Sequence, residues 1–207
     1  MLRFRQIIFL LLVAAIMTGC GTTRPISPTQ KKKNWSINDN TKGSTKKNNG
    51  GGQSQNKGSS DKKSNSNHAA NCKKLGVSAS SSDNVKLYSE CASWVGVKYK
   101  YGGTSKSGAD CSGMTYMIYK TVYGKTLTRQ SAGMLNDNCT KIKKSQLREG
   151  DLVFFRTDGK RSSTPNHVGI YLKENKFIHS STSKGVIVSD ITQEYYITNW
   201  IAAGRVK

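Results

Sequence analysis

Residues 99–113 read Tyr-Lys-Tyr-Gly-Gly-Thr-Ser-Lys-Ser-Gly-Ala-Asp-Cys-Ser-Gly. A glycine-rich loop runs into Asp110-Cys111-Ser112-Gly113, and apolar residues then recur at Met114, Met117, Ile118 and Val122. Spacings of three and four mark a helix with one buried face. Asp110 stands where an N-cap is needed, since its carboxylate can accept hydrogen bonds from the first free backbone N–H groups. Cys111 then falls in the first turn. The partial positive charge of a helix N-terminus favours thiolate, the nucleophilic form. The glycines let backbone and substrate approach where a side chain would obstruct. An arbitrary cysteine on a packed helix is a small buried hydrophobe. The helix start, the glycine loop and two histidines further on shift the reading of Cys111 to a nucleophile.

Working outward, Val85, Tyr88, Cys91, Trp94 and Val95 share one helical face, with Asp83 as a cap and Gly96 as a stop. The Cys111 helix ends near Gly124, and 128–135 reads as a short helix. The period then changes. Residues 152–155, 168–172, 176–180, 186–189 and 201–206 are short β-like runs separated by turn residues. Helices followed by a meander of about five strands imply an α+β domain, an antiparallel sheet with helices packed on it.

The 207-residue chain carries a net charge of +21. Residues 1–83 hold 14 Lys/Arg against 3 Asp/Glu, and residues 84–207 hold 19 against 9. Such a chain is drawn to polyanions: nucleic acid, anionic lipid or an acidic wall polymer. Residues 1–19 read as an export signal, with Arg3 and Arg5 before an apolar run over 7–17 too short for a comfortable membrane span. Export argues against nucleic acid. Met17-Thr18-Gly19-Cys20 resembles the bacterial lipobox, with Met17 where leucine is more usual. Cys20 is thus the expected lipidation site, a plain secretory signal being the alternative. Gly21 stands where aspartate would retain a lipoprotein in the inner membrane, so the expected location is the outer membrane, facing the periplasm. Residues 20–83 are rich in Lys, Asn, Ser and Gly and read as a disordered basic tether, with Cys72 lacking an obvious partner. The folded domain is expected over 84–207.

A catalytic thiol needs a base and a group to orient that base. Within 84–207 the histidines are His167 and His179. They lie on runs separated by Lys173-Glu174-Asn175-Lys176, which look like neighbouring antiparallel strands. A two- or four-residue loop would send them to opposite faces; a three- or five-residue loop, or a bulge, puts both on one face. On a shared face His167 would take the thiol proton and His179 would fix its tautomer.

Tyr-Gly-Gly followed by Asp110-Cys111-Ser112-Gly113, then Gly150-Asp151-Leu152-Val153-Phe154-Phe155, His167-Val168-Gly169-Ile170-Tyr171 and Phe177-Ile178-His179-Ser180 resemble the NlpC-type cysteine peptidases, papain-like enzymes that cut peptidoglycan stem peptides, and among them the Spr-like murein endopeptidase lipoproteins. The resemblance covers 84–207. It implies a papain-like core with Cys111 as nucleophile, His167 as general base and His179 as the orienting residue. It implies that Tyr99 helps hold the oxyanion, that Asp110 and Ser112 help bind substrate amine and carboxylate groups, and that Arg129 matches an arginine common after the catalytic helix. The target it implies is an amide of the stem peptide, between γ-D-glutamate and the diamino acid or in a cross-link. No cofactor, metal or obligate protein partner is expected: Cys72, Cys91, Cys111 and Cys139 are too dispersed for zinc-type spacing. Cys91 and Cys139 read as buried hydrophobes, a disulfide between them being the alternative. An amidase or acyltransferase on the same scaffold, or a non-catalytic wall-binding module, are the competing functions.

Overall fold

The computed structural model describes residues 58–207. The readings of the export signal and of Cys20 lie outside the described residues. Helix α1 (Gly58–Lys74) packs on α2 (Val85–Trp94). This corrects the tether. Part of the stretch read as disordered is helical, and it buries Cys72, Leu75 and Val77. The apolar residues there are too few to stand out from the Lys/Asn/Ser background, but His68, Cys72 and Leu75 fall at spacings of four and three, on one side of a helix. The cap of α2 is Asn84, whose Oδ1 accepts from Leu87 N at 3.1 Å. Asp83 is turned inward instead, to His68 and Lys173.

A two-stranded ribbon, β1 (Thr104–Ser105) and β2 (Gly108–Ala109), leads into α3 (Cys111–Tyr123). Helix α3 stops at Gly124, left-handed at φ 68°. A single turn, α4 (Ser131–Gly133), runs on into a wider π-type turn over Met134–Asn138. The strands are β3 (Cys139–Ile142), β4 (Leu152–Phe155), β5 (His167–Tyr171), β6 (Lys176–Ser181), β7 (Gly185–Asp190) and, after the short α5 (Glu194–Thr198), β8 (Trp200–Val206). They form an antiparallel sheet in the order β3-β8-β4-β5-β6-β7. The strand not anticipated is β3, an edge strand whose Thr140 and Lys141 face solvent and leave little apolar pattern.

Side chains alternate across the sheet. Leu152, Phe154, Val168, Ile170 and Ile178 join Tyr88, Trp94, Met114 and Ile118 in the main core beneath the helices. Val153, Phe155 and Phe177 point the other way, to a smaller core with Ile191, Tyr196 and Trp200. Every residue of β4 is therefore buried, as befits a central strand covered on both faces. Fully burying each Leu or Phe contributes about 1.5–3 kcal/mol.

The β5–β6 hairpin pairs Ile170 with Ile178 and Tyr171 with Phe177. Leu172 N donates to Lys176 O at 2.9 Å, which leaves 173–175 as the turn. Glu174 and Asn175 carry it at φ 54° and 62°. The loop is odd, so His167 and His179 share a face. Gly169 lies opposite His179. A Cβ there would sit 2.6 Å from Phe177 Cδ2 and 3.2 Å from His179 Cβ, so the missing side chain makes room for both rings.

Candidate active site

Asp110 caps α3 as its position suggested: Oδ1 accepts from Gly113 N at 2.6 Å. Its other oxygen accepts from Gly102 N at 2.8 Å and pins the glycine loop to the helix start. A side chain at Gly113 would strike the carbonyl of Gly103 and the Arg129 guanidinium. The loop therefore lies against the first turn only because residue 113 is glycine. Ser112 Oγ is within reach of Asp110 Oδ1 (3.0 Å) and Arg129 O (2.9 Å), and Arg129 approaches Asp110 at 3.5 Å. Asp110 and Ser112 are buried with their polar atoms engaged inside the protein. Arg129 keeps about a third of its side chain exposed, at 35%.

Cys111 opens α3 and is partly exposed, unlike Cys72, Cys91 and Cys139, which are buried and free. It lies in a cleft of about 420 Å³ shared with Tyr99, Tyr101, Arg129, Gln130 and Asn166. Tyr99 is held in place by a backbone bridge to Ala109. The backbone N–H of Val168, at the start of β5 and next in sequence to His167, is among the groups that favour the Cys111 thiolate. The surroundings push the Cys111 thiol up: burial outweighs the N–H groups of Val168 and Ser112 that favour the thiolate. The helix-start N–H groups thus act in the direction expected of them, against a larger effect of burial.

His167 Nε2 and His179 Nδ1 are 2.8 Å apart, in an edge-on pair with centroids at 4.9 Å. Both rings are buried. Burial lowers the pKa of His167 to about 4, and burial together with its neighbour lowers that of His179 to about 3. Both imidazoles are neutral near pH 7. The far nitrogen of His179, Nε2, meets Ser189 Oγ at 3.0 Å and the Tyr196 hydroxyl at 3.1 Å, and Tyr196 donates to Ser189 at 3.2 Å. Phe177 stacks on His179 at 4.9 Å. Ser189 and Tyr196 were not singled out in the sequence. A serine on an edge strand and a tyrosine in a five-residue helix carry no local mark of such a role.

The structure thus brings Cys111, Tyr99, Asp110, Ser112 and Arg129 to one cleft, whose lining does not include His167 or His179, and joins the two histidines to each other on the β5–β6 hairpin. A curated relative named Probable endopeptidase NlpC homolog, from Haemophilus influenzae, is 38% identical over 122 residues, 59% of this chain and 61% of that protein. Murein DD-endopeptidase MepS/Murein LD-carboxypeptidase of Escherichia coli is 38% identical over 121 residues, 58% of this chain and 62% of its own length. The chain spans about three fifths of the length of these relatives. The crystal structure of an NlpC/P60 family protein from Bacillus cereus superposes with a TM-score of 0.52 at 30% identity, covering 58% of this chain and 38% of that one. The NlpC/P60 family model matches residues 96–205, from the end of α2 to β8, and the chain belongs to the NlpC/P60 family.

Proposed function

We propose that the protein is a cysteine peptidase that cleaves an amide in peptidoglycan stem peptides. The observation that carries this reading is a partly exposed thiol at the start of a helix, in a cleft, with that helix packed on the hairpin that holds a hydrogen-bonded histidine pair. A wall-binding module has no need of a base whose second nitrogen is fixed by another histidine. The relatives' names, endopeptidase and murein DD-endopeptidase, support the substrate class.

The proton path follows from the hydrogen bonds. Tyr196 donates to Ser189, so both oxygens can accept from His179 Nε2–H. His179 Nδ1 is then an acceptor and takes Nε2–H of His167. That tautomer leaves His167 Nδ1 unprotonated and able to accept the Cys111 proton. Sulfur attacks the amide carbonyl; the Cys111 N–H and the Tyr99 hydroxyl stabilise the oxyanion. The C–N bond breaks as His167 returns the proton to the leaving amine. Water then adds to the thioester, releasing the acid and restoring the thiol. Because thiol and imidazole are both neutral at rest, proton transfer accompanies attack.

The finer readings belong to the same proposal: cleavage between γ-D-glutamate and the diamino acid or in a cross-link, anchoring through lipid on Cys20, and residence at the outer membrane. Digestion of purified peptidoglycan by the full chain, beside Cys111→Ala, with fragments identified by mass, tests the activity and names the bond. Fragments from the parent alone establish it. None from a folded, reduced parent would turn the reading to an acyltransferase or a binder. Membrane fractionation of Cys20→Ala tests the anchor, with release into the soluble fraction expected.

A further inference from the structure

A second group of reactive side chains lies away from the cleft, under α1. His68 and Cys72 are one turn apart on that helix, and Asp83 belongs to the connection between α1 and α2. Their donor atoms converge. His68 Nε2 is 2.9 Å from Asp83 Oδ2 and 3.6 Å from Cys72 Sγ, and Sγ is 3.8 Å from the same carboxylate oxygen. Cys72 is fully buried, His68 is 7% exposed and the Asp83 side chain 4%.

We propose that His68, Cys72 and Asp83 form a site for a divalent transition metal of the zinc class, fixing α1 to the domain. Zinc binds sulfur at about 2.3 Å and nitrogen or oxygen at about 2.0–2.2 Å, which in a tetrahedron separates the ligand atoms by roughly 3.3–3.7 Å. The observed separations bracket that range, so an ion needs only a small opening of the His68–Asp83 contact. Thiolate, imidazole and carboxylate together suit zinc-like ions; calcium and magnesium prefer all-oxygen sites. Sulfur contacts of 3.6 and 3.8 Å are weak as hydrogen bonds, so hydrogen bonding alone adds little at this thiol.

The surroundings fit an ion. On binding, the Cys72 proton leaves to solvent, and the thiolate and carboxylate together offset the charge of a dication. Lys173 Nζ lies 2.6 and 2.8 Å from the two Asp83 oxygens and can stay on Oδ1. Sequence spacing hid the site because its third donor comes from a loop eleven residues beyond Cys72.

The test uses the full chain carrying Cys111→Ala, which removes the other thiol near histidines. The chain is reduced, stripped with chelator and titrated with Co²⁺. The expected result is one equivalent bound per chain, with a thiolate-to-cobalt charge-transfer band that zinc abolishes by displacement. Cys72→Ser should remove the band, His68→Ala and Asp83→Asn should weaken binding at least ten-fold, and Cys91→Ser should leave it intact. A folded parent without the band, or a band that survives Cys72→Ser, overturns the proposal and leaves the cluster a hydrogen-bonded clamp. Should Cys72→Ser fail to fold, the parent's spectrum and its displacement by zinc decide alone. None of these readouts depends on peptidase activity.

Discussion

The histidine pair depends on small choices around it. Gly169 lies opposite His179, where any Cβ would press on Phe177 and His179. Gly169→Ala should therefore cost about 1–3 kcal/mol through overpacking, read as a lower denaturant midpoint, and should cut activity further by turning the His179 ring. Tyr99→Phe tests the oxyanion role. Losing one such donor costs about 100- to 1000-fold in kcat, with little change in thermal melting, since Tyr99 is only partly buried. An unchanged kcat would remove Tyr99 from the mechanism. The pair also ties stability to pH. In the unfolded chain each imidazole takes up a proton near pH 6.5, whereas folding holds that event to about 4 for His167 and about 3 for His179. The unfolded state binds more protons in between, so stability falls as pH drops from about 6.5 to about 4, where the His167 contribution levels off. Denaturant titrations at pH 7 and pH 5 should show the loss, and the double variant His167→Gln, His179→Gln should flatten it.

At the level of elements, legibility followed the strength of local pattern. The Cys111 helix, its Asp110 cap and its Gly124 stop were readable because capping chemistry is local. Strand β4 was readable as an unbroken apolar run, and the odd hairpin loop was derivable from the demand that His167 and His179 share a face. Helix α1 was not, because its stability comes from tertiary burial of a few side chains in a polar sequence. Edge strand β3 was missed for a related reason: its ladder with β8 is backbone chemistry that side chains barely report. The Tyr196–Ser189–His179 contacts join residues from three elements, and no spacing rule reaches across them. Asp110→Ala should cost about 1 kcal/mol as a lost cap, and more in activity than in stability, because the same carboxylate holds Gly102 of the cleft wall. Melting and peptidoglycan digestion of this variant separate the two effects.

For the whole molecule, charge is the property that acts at a distance. The 84–207 stretch alone holds 19 Lys/Arg against 9 Asp/Glu. If the substrate is an anionic wall polymer, encounter is steered electrostatically and screened once the Debye length shrinks, from about 10 Å at 0.1 M salt to about 3 Å at 1 M. Digestion of intact peptidoglycan should slow over that range, while hydrolysis of a short uncharged peptide should not. Equal salt dependence for both would show that the field plays no part in capture.

The uneven exposure of the cysteines has a consequence for survival in air. Cys72, Cys91 and Cys139 are sealed in the interior, and Cys111 alone among these free thiols meets the cleft. Peroxide arriving from solvent will convert that sulfur to sulfenic and then sulfinic acid while the packed thiols stay reduced. Oxidative ageing should therefore silence the protein without unfolding it.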